Sequence, residues 1–223
     1  MDYEIVARPS YSMLRVDLTP GDKLVTESKA MAWMDTNVRA QTSTRGGVLS
    51  GLKRKLLTGE SFFQNTYEAE GGPGSITLAP GSAGDVVAMP LDGELYLEKG
   101  AFLASTEGVK CDAKFGGLRG FFNEGLFVLR CSGSGTLFFN AYGEIQEVDV
   151  DGQYTVDNGY AVAWEPHLDY RLTKARKIRS FLFSDQILLR FSGRGKVWVQ
   201  SRSAAPLANW IHQFRPVKVQ SDD

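Results

Sequence analysis

Histidine and cysteine are scarce in this sequence, and their scarcity limits the chemistry that the chain can perform. The 223 residues include two histidines, His167 and His212, and two cysteines, Cys111 and Cys131. Two histidines cannot supply a three-histidine metal site. Two cysteines so far apart in sequence predict neither a zinc knuckle nor a disulfide framework. We therefore expect no metal centre and no cofactor.

A large excess of one charge and long apolar runs are also absent. The formal net charge is −1, whereas general polyanion binders usually carry a basic domain. No apolar run approaches the roughly 18 residues of a membrane-spanning helix. The opening residues, "MDYE", lack the basic and apolar regions of a secretory leader. These features favour a reduced, cytoplasmic protein.

Motifs for catalysis are missing as well. The stretch "SGRGKV" (192–197) resembles a phosphate-binding loop, but a Walker A motif needs glycine at position 190, where the chain has Arg190. No Gly-x-Ser-x-Gly elbow occurs. Cys131 aligns with Phe191 in the repeats described below, which favours a core position over a reactive thiol. We expect a protein without catalytic activity.

Glycines and small residues recur at constant spacing, which indicates an internal repeat. The first anchor of each repeat is a glycine in "TPGD", "LDGE" or "VDGQ". At one fixed distance beyond it come Ala32, Ala104 and Ala163, and the next position holds Trp33, Ser105 and Trp164. The three anchors are Gly21, Gly93 and Gly152.

A second anchor follows in each repeat and precedes a strand-like alternation. These anchors are "GPG" (72–74), "GSG" (133–135) and "GRG" (193–195). The segments "LRGFFNEGLFVLRCSGSG" (118–135) and "IRSFLFSDQILLRFSGRG" (178–195) align without gaps. The first repeat is longer between its anchors, which places an insertion within residues 45–61.

The stretch "DVDGQYTVDNG" (149–159) has the oxygen donors and glycines of a calcium-binding loop. An EF-hand also needs glycine at its sixth position and glutamate at its twelfth, and neither requirement is met. The equivalent positions in the other repeats are "LTPG" and "PLDG". We therefore interpret the stretch as a turn, where Asp sets local geometry and Gly accepts a positive φ.

Short alternating runs separated by Gly, Pro and Asp predict β-strands joined by hairpins. We expect a single all-β domain over residues 1–216, built as a compact double-stranded β-helix or β-sandwich from three pseudo-repeats at about 11–80, 81–142 and 143–203. A C-terminal helix is expected at about 205–215, and residues 217–223 should form a frayed tail.

The C-terminal helix is predicted from apolar residues at helical spacing. Pro206 suits its first turn, and Pro216 ends the pattern. This face should pack on the β-body or on a neighbouring subunit, and a membrane-surface role is the alternative. Its residues are Leu207, Trp210, Ile211 and Phe214.

A set of basic residues could form a rim around the pseudo-threefold axis. Arg119 and Arg179 precede Gly135 and Gly195 by the same number of residues, and Lys55 takes the equivalent place in the first repeat. Such a rim would attract phosphate-rich surfaces through screened Coulomb forces. The alternative is a solvated set balanced by nearby carboxylates. The full set is Lys53, Arg54, Lys55, Arg119, Arg176, Lys177 and Arg179.

Four segments together resemble a known family: "GGVLSGLKRKLLTGESFF", "PGSITLAPG", "GDVVAMPLDG" and "FGGLRGFFNEGLFVLRCSGSGTLFFNAYG". The chain is similar to bacterial members of the altered inheritance of mitochondria protein 24, or mitochondrial biogenesis, family. The resemblance implies a fold like that of the tryptophan RNA-binding attenuation protein, a shortened double-stranded β-helix. It implies no catalytic residues.

Three hypotheses for the function follow. The first is a non-catalytic, homo-oligomeric β-scaffold or binding protein with an unknown protein partner. The second is a small-molecule-binding or enzymatic double-stranded β-helix protein, which needs a pocket lined by convergent polar groups. The third is binding of RNA or an anionic membrane surface through the basic rim. We favour the first, because the repeat is symmetric and the helix offers an apolar face for docking.

Overall fold

The structure is a computed structural model that describes residues 1–43, 64–113, 127–174 and 187–215. Its described residues form fifteen β-strands, one α-helix and two short 3-10 turns. The expected all-β fold with a short C-terminal helix is confirmed. Alternation of buried and exposed side chains, as in "MLRVDL" of the second strand, explains why these segments form half-buried strands.

The strands divide into three repeats of the same design. The first repeat follows the N-terminal strand β1 (Asp2–Val6) and contains β2 (Met13–Leu18), β3 (Leu24–Glu27), β4 (Met31–Met34), β5 (Val38–Ser43), β6 (Gln64–Ala69) and β7 (Gly74–Leu78). The second contains β8 (Val86–Glu98), β9 (Phe102–Thr106), β10 (Val109–Ala113) and β11 (Val128–Asn140). The third contains β12 (Ile145–Asp157), β13 (Ala161–Trp164), β14 (Asp169–Lys174) and β15 (Ile187–Gln200).

In each repeat the first and last strands pair along their length, and two shorter strands pair with the last one. In the second repeat, β8, β9 and β10 all pair with β11. In the third, β12, β13 and β14 all pair with β15. The first repeat has the same pairings, but both long strands are divided: β2 and β4 pair with β7, and β3 and β5 pair with β6. The three pseudo-repeats are confirmed.

The glycine anchors do not all lie in turns. Gly93 stands opposite Gly133 inside the β8–β11 pair, and Gly152 stands opposite Gly193 inside the β12–β15 pair. All four have positive φ, between 103° and 129°, which glycine adopts without steric cost. Both strands can therefore bend at one point without losing their partner.

The interpretation of 149–152 as a turn is therefore wrong. These residues lie within strand β12. Only the first repeat has a turn at this position, where the backbone amide of Asp22 donates to the carbonyl of Thr19 at 2.9 Å and separates β2 from β3. Pro20 and Gly21 suit the second and third positions of this turn, since proline fixes φ at about −65° and Gly21 has a positive φ of 96°.

The strands form a four-stranded sheet in the order β1-β2-β7-β4 and an eleven-stranded sheet. The larger sheet follows the order β12-β15-β13-β8-β11-β9-β3-β6-β5, with β10 and β14 paired to β11 and β15. Two junctions therefore join the repeats. Strand β13 of the third repeat pairs with β8 of the second, and β9 of the second pairs with β3 of the first.

Three apolar clusters form the core, centred on the three repeats. The first-repeat cluster includes Leu103, Ala104 and Phe138, which belong to the second repeat. The second-repeat cluster includes Val162, Ala163 and Trp198, which belong to the third. Each junction therefore completes the core of one repeat with side chains of the next.

Helix α1 (Ala204–His212) follows β15 and lies within the segment predicted to be helical. Ser203 precedes it with extended backbone, and its side chain makes no capping hydrogen bond. Nine residues are too few for a helix to be stable alone in water. Its stability must therefore come from contacts with the rest of the protein or with a partner.

Candidate functional site

The predicted basic rim lies outside the described residues. This applies to all seven of its members: Lys53, Arg54, Lys55, Arg119, Arg176, Lys177 and Arg179. The described strands do show how these segments are connected, because residues 44–63, 114–126 and 175–186 each join equivalent strands of the three repeats. The rim stays a prediction.

The apolar residues of the C-terminal helix point into solvent. Trp210 is 58% exposed and Phe214, just beyond the helix end, is 68% exposed. Their rings contact each other edge-to-face, with centroids 5.1 Å apart. Leu207 and Ile211 are also exposed, and no residue of the helix is buried. The four residues, called the helix face below, form an exposed apolar surface of the kind that marks interaction sites.

A second group of exposed apolar side chains lies on strand β4. Met31, Trp33 and Met34 are all exposed, with Trp33 at 57%. Among the described strands, β4 pairs with β7 alone and lies at the edge of its sheet. A short, apolar edge strand of this kind is a template for pairing with another strand.

A cavity of about 460 Å³ lies where the second and third repeats meet the start of helix α1. Its polar lining includes Glu98, Asn140 and Gln200, and its apolar lining includes Val162 and Leu207. Asn140 is buried. Cavities of this size with a few convergent polar groups are typical of small-molecule sites.

Glu98 supplies the carboxyl group that lines this cavity. Its carboxylate accepts a hydrogen bond from the backbone amide of Gly100 at 2.8 Å and so caps the 3-10 turn Lys99–Ala101. Burial raises the pKa of Glu98 to about 7, because the charged form loses hydration. Asp157 caps the equivalent turn of the third repeat through the amide of Gly159, at 2.9 Å.

In the stretch 149–159, which resembles a calcium loop in sequence, carboxylates form cross-strand ion pairs. Asp151 lies 2.9 Å from the guanidinium of Arg194, and Asp149 lies 3.6 Å from the ammonium of Lys196. Lys196 also pairs with Glu147. These carboxylates therefore face cations of β15. Within the described ranges, no three His, Cys, Asp or Glu side chains are grouped to hold a metal ion.

The cysteines form a pair that the sequence did not indicate. Cys111 on β10 stands directly opposite Cys131 on β11, and the two are joined by a disulfide. The sequence distance between the two cysteines predicted no disulfide, and this was wrong, because strand pairing brings residues together that are distant in sequence. Cys131 is fully buried in the second-repeat core, so its predicted core position is correct.

An ion pair between the half-exposed Arg8 and the buried Asp85 joins the N-terminal segment to the second repeat. The guanidinium of Arg8 donates two hydrogen bonds to Asp85, at 2.9 and 2.7 Å, and the hydroxyl of Ser12 donates a third at 2.7 Å. Burial alone would raise the pKa of Asp85. Together with the backbone amide of Val86, these donors instead hold this pKa below its usual value. This group of residues, called the Asp85 clamp below, is structural.

The remaining sequence candidates occupy structural positions. His167 is exposed, with its Nε2 atom 3.2 Å from the carboxylate of Glu165. His212 ends helix α1. The stretch 192–197 lies inside strand β15 rather than in a loop before a helix. In the parts of the chain described, no helix is long and apolar enough to cross a membrane.

Comparisons with known proteins agree with the fold. An uncharacterized protein of Streptococcus pyogenes serotype M6, M6_Spy0233, is 30% identical over 233 residues, which cover 97% of this chain and 92% of that protein. The crystal structure of protein SPYM3_0169 from Streptococcus pyogenes superposes with a TM-score of 0.81 at 28% identity, covering 96% of this chain and 99% of that one. The family model "Mitochondrial biogenesis AIM24" matches residues 3–202. The resemblance found in the sequence is confirmed, and the chain belongs to the mitochondrial biogenesis AIM24 family.

Proposed function

We propose that the protein is a non-catalytic, homo-oligomeric β-scaffold that acts by binding other macromolecules. The observation that carries this proposal is the exposed helix face. An amphipathic surface helix normally turns its apolar stripe toward the core, whereas Trp210 and Phe214 of this chain face solvent. Two large aromatic side chains in contact are the kind of anchor that dominates protein interfaces.

The distribution of apolar side chains supports this proposal further. Each repeat has a well-buried core, so the fold does not lack apolar packing. The exposed large apolar residues are concentrated on strand β4 and the helix face, with three further tyrosines elsewhere among the described residues. Concentration in two patches favours docking surfaces over scattered surface residues.

The non-catalytic part of the proposal is supported by what the acidic groups do. Asp85 binds Arg8, Asp151 binds Arg194, and Glu98 caps a turn. Each of these carboxylates has a structural role that accounts for its position. No pairing of an acid with a nucleophile is needed to explain them.

Native mass spectrometry of the untagged protein, purified gently from its own cells, tests the scaffold proposal. We expect a multiple of 24.6 kDa, with or without an added protein partner. Trp210→Glu should release whatever binds the helix face, and Asn209→Glu, which adds the same charge to the opposite side of the helix, should not. A species of 24.6 kDa in the cell extract, unchanged by Trp210→Glu, would contradict the proposal.

The cavity favours a second candidate function, the binding of a small molecule. A carboxyl group with a pKa of about 7 can either accept or donate a hydrogen bond near neutral pH, and Asn140 and Gln200 add amide groups. In native mass spectra, the extra mass of a bound small molecule that is present in wild-type protein and absent in Glu98→Gln would support this candidate. Asp157→Asn, at the equivalent cap outside this cavity, is the matched control.

We also propose a cytoplasmic location, and the cysteine pair provides its test. Cytoplasmic thiols are normally kept reduced, whereas disulfides persist in oxidising compartments. Rapid alkylation of intact cells under denaturing conditions, followed by mass spectrometry, reports the state of Cys111 and Cys131. Two alkylated thiols would support a cytoplasmic location, and an intact disulfide would contradict it.

A further inference from the structure

The two junctions between repeats use equivalent strands in nearly equivalent registers. At one junction, Ala163 and Trp164 of β13 stand opposite Leu97 and Tyr96 of β8. At the other, Ala104 and Ser105 of β9 stand opposite Thr26 and Val25 of β3. In the repeat alignment, β4 corresponds to β9 and β13, and the second half of β12 corresponds to β3 and the second half of β8. A third junction of the same kind would therefore join β4 to β12.

That third junction is not formed among the described strands of the chain. Among the strand pairings of the described residues, β4 pairs with β7 and β12 pairs with β15, and neither uses its other edge. On β12, Tyr154 and Thr155 are exposed, whereas Leu95, which corresponds to Tyr154, is buried in the second-repeat core. The outer edges of β4 and of the second half of β12 are thus both exposed, and they are not paired with each other.

Burial at the equivalent strands shows what is missing. Every residue of β13 is buried, as are the first four residues of β9, while every residue of β4 is exposed. Trp33 and Trp164 lie on these equivalent strands, yet their exposed fractions are 57% and 0%. Trp164 is covered by Tyr170 and Phe191 of its own repeat and by Tyr96 across its junction, with the Tyr96 ring centroid 6.3 Å away.

The composition of the three apolar clusters also indicates that a contribution from strand β4 is missing. The first-repeat core receives side chains from the second repeat, and the second-repeat core receives side chains from the third. The third-repeat core contains residues of the second and third repeats and none of the first among the described residues. It therefore lacks the contribution that β4 would make, and Met31 and Trp33 are the apolar side chains available to make it.

We propose that strand β4 of one copy of this chain pairs antiparallel with the second half of strand β12, Tyr154 to Val156, of a second copy. This inference rests on the proposed homo-oligomer and names its interface. Trp33 would lie opposite Thr155 or Val156, the two registers that the internal junctions define. Because the two edges differ, the contact is heterologous, and successive copies assemble head to tail until the arrangement closes.

Two lysine substitutions test this interface, since charges on edge strands oppose strand pairing. Trp33→Lys disables the β4 edge, and Thr155→Lys disables the β12 edge. Both side chains are exposed in the single chain, so each variant should fold, which circular dichroism checks. Tyr11→Lys, at an aromatic residue that is 73% exposed and lies outside both edges, is the matched control.

Each single variant should be a 24.6 kDa monomer by native mass spectrometry, because every head-to-tail contact needs one intact edge of each kind. Mixing the two variants should restore one contact, between β4 of the Thr155→Lys chain and β12 of the Trp33→Lys chain. We therefore expect a dimer containing one copy of each variant. The Tyr11→Lys control should keep the subunit number of the wild-type protein.

The outcomes separate this inference from the proposed function. An oligomeric wild type whose subunit number survives both lysine variants would overturn the β4–β12 contact and leave the homo-oligomer standing. Monomers from each variant that fail to combine on mixing would overturn the head-to-tail arrangement. A wild-type protein that is monomeric at all concentrations would overturn both proposals.

Discussion

Trp33 and Trp164 lie on equivalent strands of the first and third repeats, β4 and β13, and have opposite environments. Trp164 is fully buried among Tyr96, Tyr170 and Phe191, whereas Trp33 is more than half exposed. Their strands pair with equivalent neighbours inside their own repeats. Trp164 contacts Tyr170 and Phe191 of its own repeat. In addition, β13 has a partner strand at a junction between repeats, whereas β4 has none among the described strands.

Removing each tryptophan in turn should give the largest difference in the free energy of unfolding. Trp164→Ala should lower the free energy of unfolding by about 3–5 kcal/mol, as is usual when a large aromatic side chain is deleted from a core. Trp33→Ala should change it by no more than about 0.5 kcal/mol, the usual range for surface positions. Urea unfolding at concentrations where the protein is monomeric measures both. Equal losses would mean that the two environments do not differ.

Trp164→Phe separates the effect of the buried indole N–H group from that of the aromatic ring. The indole Nε1 atom of Trp164 is buried without a hydrogen-bond partner among the described residues. Phenylalanine removes that donor and keeps a ring beside Tyr170 and Phe191. We therefore expect a smaller loss than for alanine.

The next largest effect concerns Asp85 and Glu144, which precede Gly93 and Gly152 by the same distance. Asp85 is buried in its clamp, whereas Glu144 is exposed. Asp85→Ala should cost about 1–3 kcal/mol, because it leaves buried donors without an acceptor. Glu144→Ala should cost no more than about 0.5 kcal/mol. Thermal and urea unfolding of both variants would check the contrast, and equal costs would contradict the clamp.

Acid should remove the contribution of Asp85. The pKa of Asp85 is lower in the folded protein than in the unfolded chain, so its contribution is present above the unfolded pKa and is lost as pH falls through the folded pKa. The stability difference between wild type and Asp85→Ala should therefore shrink below about pH 4. A difference that stays constant down to pH 2 would show that the carboxylate charge is not involved.

Glu98 should produce a smaller effect with the opposite pH dependence. Its folded pKa of about 7 lies above the unfolded value of roughly 4.3, so the folded protein binds the proton more tightly between these values. Stability should therefore fall as pH rises through this window. Glu98→Gln should remove this decrease, and Asp157→Asn, at the equivalent cap, should retain it. Unfolding curves at pH 4.5, 6 and 7.5 measure the slope.

Much of the fold could be predicted because glycine spacing and strand alternation are local signals. The anchors Gly93 and Gly152 located the repeats, and apolar spacing located the C-terminal helix. The local structure at the anchor glycines was harder to predict, since a positive-φ glycine fits a turn and a bend within paired strands equally well. Only the partner glycine across the strand pair, Gly133 or Gly193, distinguishes the two, and pairing is not a local property.

The candidate sites were less predictable for the same reason. The repeat alignment gives Trp33 and Trp164 the same expected environment, and nothing near Trp33 in sequence indicates that it is exposed. Cys111 and Cys131 come together only through the register of β10 and β11. Glu98 gave no sequence signal, because its raised pKa depends on burial between two repeats. The helix face was predicted, since apolar periodicity identifies a face but not what covers it.

Hydrogen–deuterium exchange of the native assembly reports whether the exposed edges of β4 and β12 are covered by a second copy. Peptides containing Met31–Met34 and Tyr154–Val156 should exchange slowly in the wild-type assembly and faster in Trp33→Lys, with the buried strands β9 and β13 unchanged. Equal and rapid exchange of both segments in the two proteins would contradict the claim that a second copy completes the third junction.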